Sequence, residues 1–157
     1  MGLKDTITED MKAAMRAREA DRLGAIRMLL AAIKQKEVDE RVVADDAAVI
    51  AIVERLIKQR KDSIEQFGKA GRTDLVDKET AELVLLQGYL PAALSDAEVA
   101  SVIDAAVAQV LAAGTSARLA PGDMGKVMAI VKPRLAGRAD MSKVSALVKA
   151  RVAGPAA

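Results

Sequence analysis

The sequence contains no cysteine, no histidine and no tryptophan, and has one phenylalanine and one tyrosine. Without cysteine there is neither a disulfide nor a thiol nucleophile; without histidine there is no imidazole base, and the usual zinc-binding sets cannot be assembled. Any chemistry would rest on Ser, Thr, Tyr, Lys or carboxylates. The shortage of aromatics leaves Ala, Leu, Val, Ile and Met to build the core, a mix that helices accept and that a large all-β fold does not favour. No run approaches the roughly 20 apolar residues of a membrane span. The opening MGLKDTITED acquires acids within ten residues and lacks the apolar stretch of a signal peptide. These absences together predict a cytoplasmic protein with no membrane partner.

What is present is a helical pattern. The 157 residues are 52% hydrophobic and 29% charged, enough chain for one domain or two small ones with a buried core. Apolar residues recur at spacings of three and four, the period of one helix face. The first segment carries Leu3, Ile7, Met11, Ala14 and Met15; the second carries Leu23, Ile26, Leu30 and Ile33, widened by Leu29. The third, entered after Asp45-Asp46, carries Val49, Val53, Leu56, Ile57, Ile64 and Phe67. GKAGRTD breaks it, with Gly68 and Gly71 as expected stops and Thr73 or Asp74 as the next cap. The fourth shows Val76, Thr80, Leu83, Leu86 and Leu90. Broad apolar faces and short connections predict an antiparallel bundle or a pair of hairpins.

Pro91 in YLPAALSDAE marks the expected boundary between an N-terminal helical domain, 1–91, and a C-terminal three-helix domain, 92–157. Ser95 and Glu98 form an S-x-x-E capping box, in which each side chain answers a backbone N–H left free at a helix start. The fifth helix then carries Val99, Val102, Ile103, Ala106 and Val110 and stops near Gly114. The sixth carries Met124, Val127, Met128, Val131 and Leu135, with Pro133 limiting its continuation. Gly137 closes it, Asp140 caps the seventh, and Val144, Leu147 and Val148 form the last apolar face. The tail GPAA is expected to be loose. Met11, Met15, Met28, Met124 and Met128 are read as core filler, and Tyr89 and Phe67 as packing residues. The fold class is all-α.

Charge divides unevenly along this pattern. Residues 1–94 hold 16 Lys or Arg against 17 Asp or Glu, whereas residues 118–151 hold eight basic residues against Asp123 and Asp140, a surplus of six. At about 100° per residue, Lys126 points away from the apolar stripe of the sixth helix, and Lys132 and Arg134 flank it. Arg138 sits in the turn to the seventh helix, where Lys143 and Lys149 lie off the apolar face and Arg151 falls on it. A basic turn between two short helices, with Gly125 and Gly137 allowing close approach, suits phosphate contact; a merely solvated basic face is the other reading.

No catalytic, cofactor or metal site is expected. PGDMGK resembles a shortened phosphate loop, but Ala120 stands where the first glycine belongs, Val127 replaces the magnesium-binding hydroxyl, and no strand leads in. The G-x-x-G of Gly122 to Gly125 lacks the sheet that a KH module needs. Ser142, Ser145, Lys143 and Lys149 are surface positions of a short helix and do not form a Ser-Lys amidase set. The acid pairs Asp39-Glu40 and Asp45-Asp46 lie at helix ends, where carboxylates near an N-terminus favour the dipole.

The block MGKVMAIVKPRLAGRADMSKVSALVKARV, preceded by GYLPAALSDAEV, closely resembles the GatB/YqeY family. RMLLAAIKQKE and EQFGKAGRTDLVDKE match its stand-alone YqeY-like members, so the resemblance covers essentially the whole chain. It implies a helical N-terminal domain and a three-helix domain similar to the C-terminal tail of the B subunit of the glutamine-dependent aminoacyl-tRNA amidotransferase, where the tail helps hold tRNA. It places Lys126, Lys132, Arg134, Arg138 and Lys143, with Lys149 beyond them, in the region that meets RNA. The chain lacks the kinase-like body of that subunit and its amidase partner. A label naming a carbon–nitrogen ligase with glutamine as amido-N-donor therefore describes kinship more securely than chemistry. The expected function is a non-catalytic tRNA-binding accessory or adaptor protein, with a synthetase or amidotransferase as a protein partner. The alternatives are a working component of an amidotransferase assembly and a protein-binding helical module.

Overall fold

Each of the seven apolar segments forms a helix. A computed structural model describes residues 1–154 and gives α1 (Leu3–Ala17), α2 (Ala20–Glu40), α3 (Asp46–Lys69), α4 (Thr73–Gln87), α5 (Asp96–Ala113), α6 (Met124–Leu135) and α7 (Met141–Ala153). A single 3₁₀ turn, Pro121–Asp123, leads into α6. No strand occurs among the described residues, and the protein is all-α. Gly154 caps α7, and the remainder of the GPAA tail lies outside the described residues. No described helix is long and apolar enough to cross a membrane.

The chain divides into two compact units between Leu90 and Pro91. In the first, α1 packs on α2 and α3 on α4, with α2 also against α3 and α4. Ile7, Ile26, Leu29, Ile33, Val49 and Val53 are fully buried at the centre, with Leu86 of α4 beside them. Asp45 caps α3 by accepting the Ala48 N–H at 2.8 Å, while Asp46 accepts the Leu3 N–H at 2.8 Å and ties the starts of α1 and α3 together. Acids at two helix N-termini also meet the positive dipole ends. Arg60 of α3 lies 3.3 Å from Glu79 and 3.0 Å from Glu82 of α4, with all three side chains mostly covered. Neither Arg60 Nε nor Glu79 Oε2 is aligned for a hydrogen bond, so the contact is chiefly Coulombic. The Tyr89 hydroxyl donates to Asp10 at 2.8 Å, and burial first, then this bond, raises the phenol pKa.

In the second unit α5, α6 and α7 enclose Val99, Ile103, Ala106, Val127, Val131, Leu135, Val144 and Val148. Ser95 and Glu98 form the expected reciprocal cap, at 3.2 and 2.8 Å, and Asp140 caps α7 through the Ser142 N–H at 2.9 Å. α6 runs through Pro133 for only two more residues. Gly137, at φ +72°, makes the turn; a side chain there would meet the left-handed penalty that glycine escapes.

Several local expectations fail for identifiable reasons. Gly68 does not stop α3, which continues to Lys69 and ends before Gly71 at φ +71°. Neither Thr73 nor Asp74 caps α4: they are its first helical residues, Arg72 holds the cap position, and Asp74 is drawn instead to the Arg72 guanidinium at 3.1 Å. Asp39 and Glu40 end α2 at its C-terminus, where the dipole opposes them, and Gln35 and Lys36 bond them from one turn back. Met15 and Met28 are 49% and 53% exposed, so they do not fill the core; Leu147 is 47% exposed, and Thr80 is also exposed. The buried stripe on these helices is narrower than a count of apolar letters suggests.

We propose that the two units are the separately folding domains 1–91 and 92–157. A broad-specificity protease should cut first between residues 88 and 95, leaving two resistant fragments. A single resistant fragment that retains this segment would contradict the division.

Candidate nucleic-acid interface

Every basic residue singled out in the sequence lies on α6, on α7 or in the turn between them, and the acids nearby determine which remain available. Between residues 118 and 151 those acids are Asp123 and Asp140. Asp123 accepts the Ala120 N–H at 2.7 Å, closing the 3₁₀ turn, and this bond, with Lys126, holds its carboxyl below the usual range. Asp140 is spent on the α7 cap. Both carboxylates therefore serve backbone N–H groups that helix starts leave unmet.

Lys132, Arg134, Lys143 and Lys149 are exposed and have no ion-pair or hydrogen-bond partner among the described residues. Helical geometry sets Lys132 and Arg134 about 160° apart, so they reach solvent on opposite flanks of the buried Val127–Val131–Leu135 stripe. Lys126 is paired with Asp123 at 3.4 Å, yet its side chain is 71% exposed. Such a surface pair is worth about 0–1 kcal/mol and yields readily to a stronger anion.

Two arginines differ from the sequence reading. Arg151 is not on the apolar face: it is exposed and ion-paired with Asp104 of α5. Arg138 is half-buried, its Nε donates to the Ala92 carbonyl at 3.4 Å, and its own carbonyl accepts the Leu94 N–H at 2.9 Å. The turn thus staples the segment that enters α5, a long-range contact without a sequence signature. Arg118, left out of the candidate set, stands in the loop before α6 with its guanidinium free of any partner among the described residues. Its place beside Thr115 and Ser116 in GTSAR was the available signal. Among the described residues no three carboxylates converge as a metal site would require.

The arrangement presents exposed cations without counter-ions among the described residues, a surface electrostatically suited to anions. The model of the family described as Yqey-like protein matches residues 4–152. The chain belongs to the YqeY-like family. This YqeY-like chain is similar to curated proteins named "Altered inheritance of mitochondria protein 41, mitochondrial". In Eremothecium gossypii the identity is 44% over 87 residues, covering 55% of this chain and 48% of the relative. In Lachancea thermotolerans it is 42% over 97 residues, covering 59% and 51%. In Pyrenophora tritici-repentis it is 34% over 128 residues, covering 80% and 68%. The YqeY-like chain spans about half the length of the first two relatives. Their naming as mitochondrial overturns the cytoplasmic expectation. That expectation rested on an early appearance of acids and the lack of an apolar span, and neither property distinguishes one aqueous compartment from another.

Proposed function

We propose that this YqeY-like chain is a non-catalytic tRNA-binding accessory protein, related through its last three helices to the tail of the tRNA-dependent amidotransferase B subunit. The observation that carries the reading is the spending of Asp123 and Asp140 on backbone caps, which leaves Lys132, Arg134, Lys143 and Lys149 without counter-ions. These four supply the principal phosphate contacts. Lys126 joins them when RNA displaces it from Asp123, and Arg138 adds the guanidinium nitrogens not committed to Ala92. Phosphate contacts position a nucleic acid without reading its sequence, so the chain holds tRNA for a partner, a synthetase or amidotransferase, that supplies identity and chemistry.

The test is the salt dependence of tRNA binding by the full chain. Each neutralised phosphate contributes a log–log slope of roughly −0.7 to −0.9, so six contacts give about −4 to −5. A slope near zero from folded protein would contradict the proposal and favour the protein-binding helical module.

A further inference from the structure

The end of α5, the loop after it and the start of α6 surround a surface cleft of about 480 Å³. Val110 and Leu111 of α5 and Ile130 of α6 give it an apolar wall, and Arg118 and Lys126 bring two cations to its lining. Asp123, also in the lining, is held by the Ala120 N–H at 2.7 Å and by Lys126 at 3.4 Å, so it fixes the loop and neutralises one cation at most. The Arg118 guanidinium stays unanswered among the described residues. The Arg118 amide donates to Ser116 Oγ at 3.2 Å, which leaves the Ser116 hydroxyl proton free to donate in turn.

We propose that this cleft binds a nucleoside monophosphate, either free or as one nucleotide of an RNA strand; the strand-borne form rests on the tRNA reading above. The volume lies within the range of small-molecule sites, roughly 300–1,000 Å³, and is far larger than a lone phosphate requires. Arg118 and Lys126 meet the phosphate, Arg118 offering the paired donors that suit its oxygens. The base lies against Val110, Leu111 and Ile130, while Thr115, Ser116 and the Gln109 amide reach sugar hydroxyls and base edges. Val127 follows Lys126 where a triphosphate loop would carry its magnesium-binding hydroxyl, so a monophosphate fits this cleft better than a metal-bound triphosphate.

The experiment is calorimetric titration of the full chain with AMP, adenosine and inorganic phosphate. AMP should bind saturably, and adenosine and phosphate each about tenfold more weakly, because each forfeits one half of the contact. Arg118→Ala should weaken AMP binding about tenfold. Arg118→Lys, which keeps the charge and guards against a folding artefact, should recover part of it, and Lys58→Ala, an exposed position on α3 of the first unit, should leave it unchanged. If tRNA displaces bound AMP, the strand is the source; if AMP binds and tRNA fails to displace it, the free nucleotide is. Absence of saturable AMP binding at millimolar concentration, or equal binding by wild type and Arg118→Ala, would overturn the site. The RNA reading then survives separately if Lys132→Ala and Arg134→Ala still weaken tRNA binding.

Discussion

Replacing Lys132, Arg134, Lys143 and Lys149 together by alanine should remove most of the salt dependence of tRNA binding, reducing a slope of about −4 to −5 to about −1.5, the share of Lys126 and Arg138. At low salt the loss of affinity should be about a hundredfold or more, since four contacts at this slope change affinity about 50- to 150-fold between roughly 50 and 200 mM salt. The fold should survive, because all four side chains are exposed and exposed substitutions usually alter stability by about 0.5 kcal/mol or less. The same exchange at four exposed basic residues of the first unit, Arg27, Lys34, Lys58 and Lys61, should have little effect, since acids balance the charge there. An equal loss from both sets would mean that net charge alone attracts the RNA. Arg138→Ala is a poorer probe, because it also releases the bond to Ala92 that ties the α5 entry to the turn.

Leu135→Ala should act through the fold instead. Leu135 is fully buried, the last core residue of α6, and it closes a unit with eight buried core residues among those described. Removing a buried leucine costs about 2–5 kcal/mol, and a core this small rarely supplies more than about 3–5 kcal/mol in all. The second unit should therefore melt while the first remains folded. Since α5, α6 and α7 hold 18, 12 and 13 residues against 15, 21, 24 and 15 in α1 to α4, roughly a third of the far-UV ellipticity should go with it. Binding to tRNA should be lost with the scaffold. Leu147→Ala, at an exposed position, should change neither quantity. A cooperative loss of the whole helical signal on Leu135→Ala would show that the two units fold as one.

The helices were legible because their cores are written in one period: Val127, Val131 and Leu135 recur at intervals of four, and all are fully buried. The caps at Ser95 and Asp140 were legible for a related reason, since their partners lie within three residues. The ends of α1 and α2 were not. Arg18 and Arg41 take left-handed conformations at φ 57° and 53°, where a glycine or asparagine would have announced the stop, and an arginine announces nothing. Exposure was misread wherever it depends on a distant neighbour: Met28 lies beside Arg60, 32 positions away, and Arg151 is drawn to Asp104, 47 positions away. The basic surplus itself could be counted in the sequence. Its availability could not, because that depends on which carboxylates are already bonded to backbone N–H groups.

Under the proposed function these cations hold tRNA in preference to an unrelated polyanion. The most direct measurement is the affinity of the full-length wild type for tRNA and for heparin, determined side by side from low to physiological salt. Tighter binding to tRNA throughout, with a slope of about −4 to −5, is the predicted result. Equal or tighter binding to heparin across the series would contradict it.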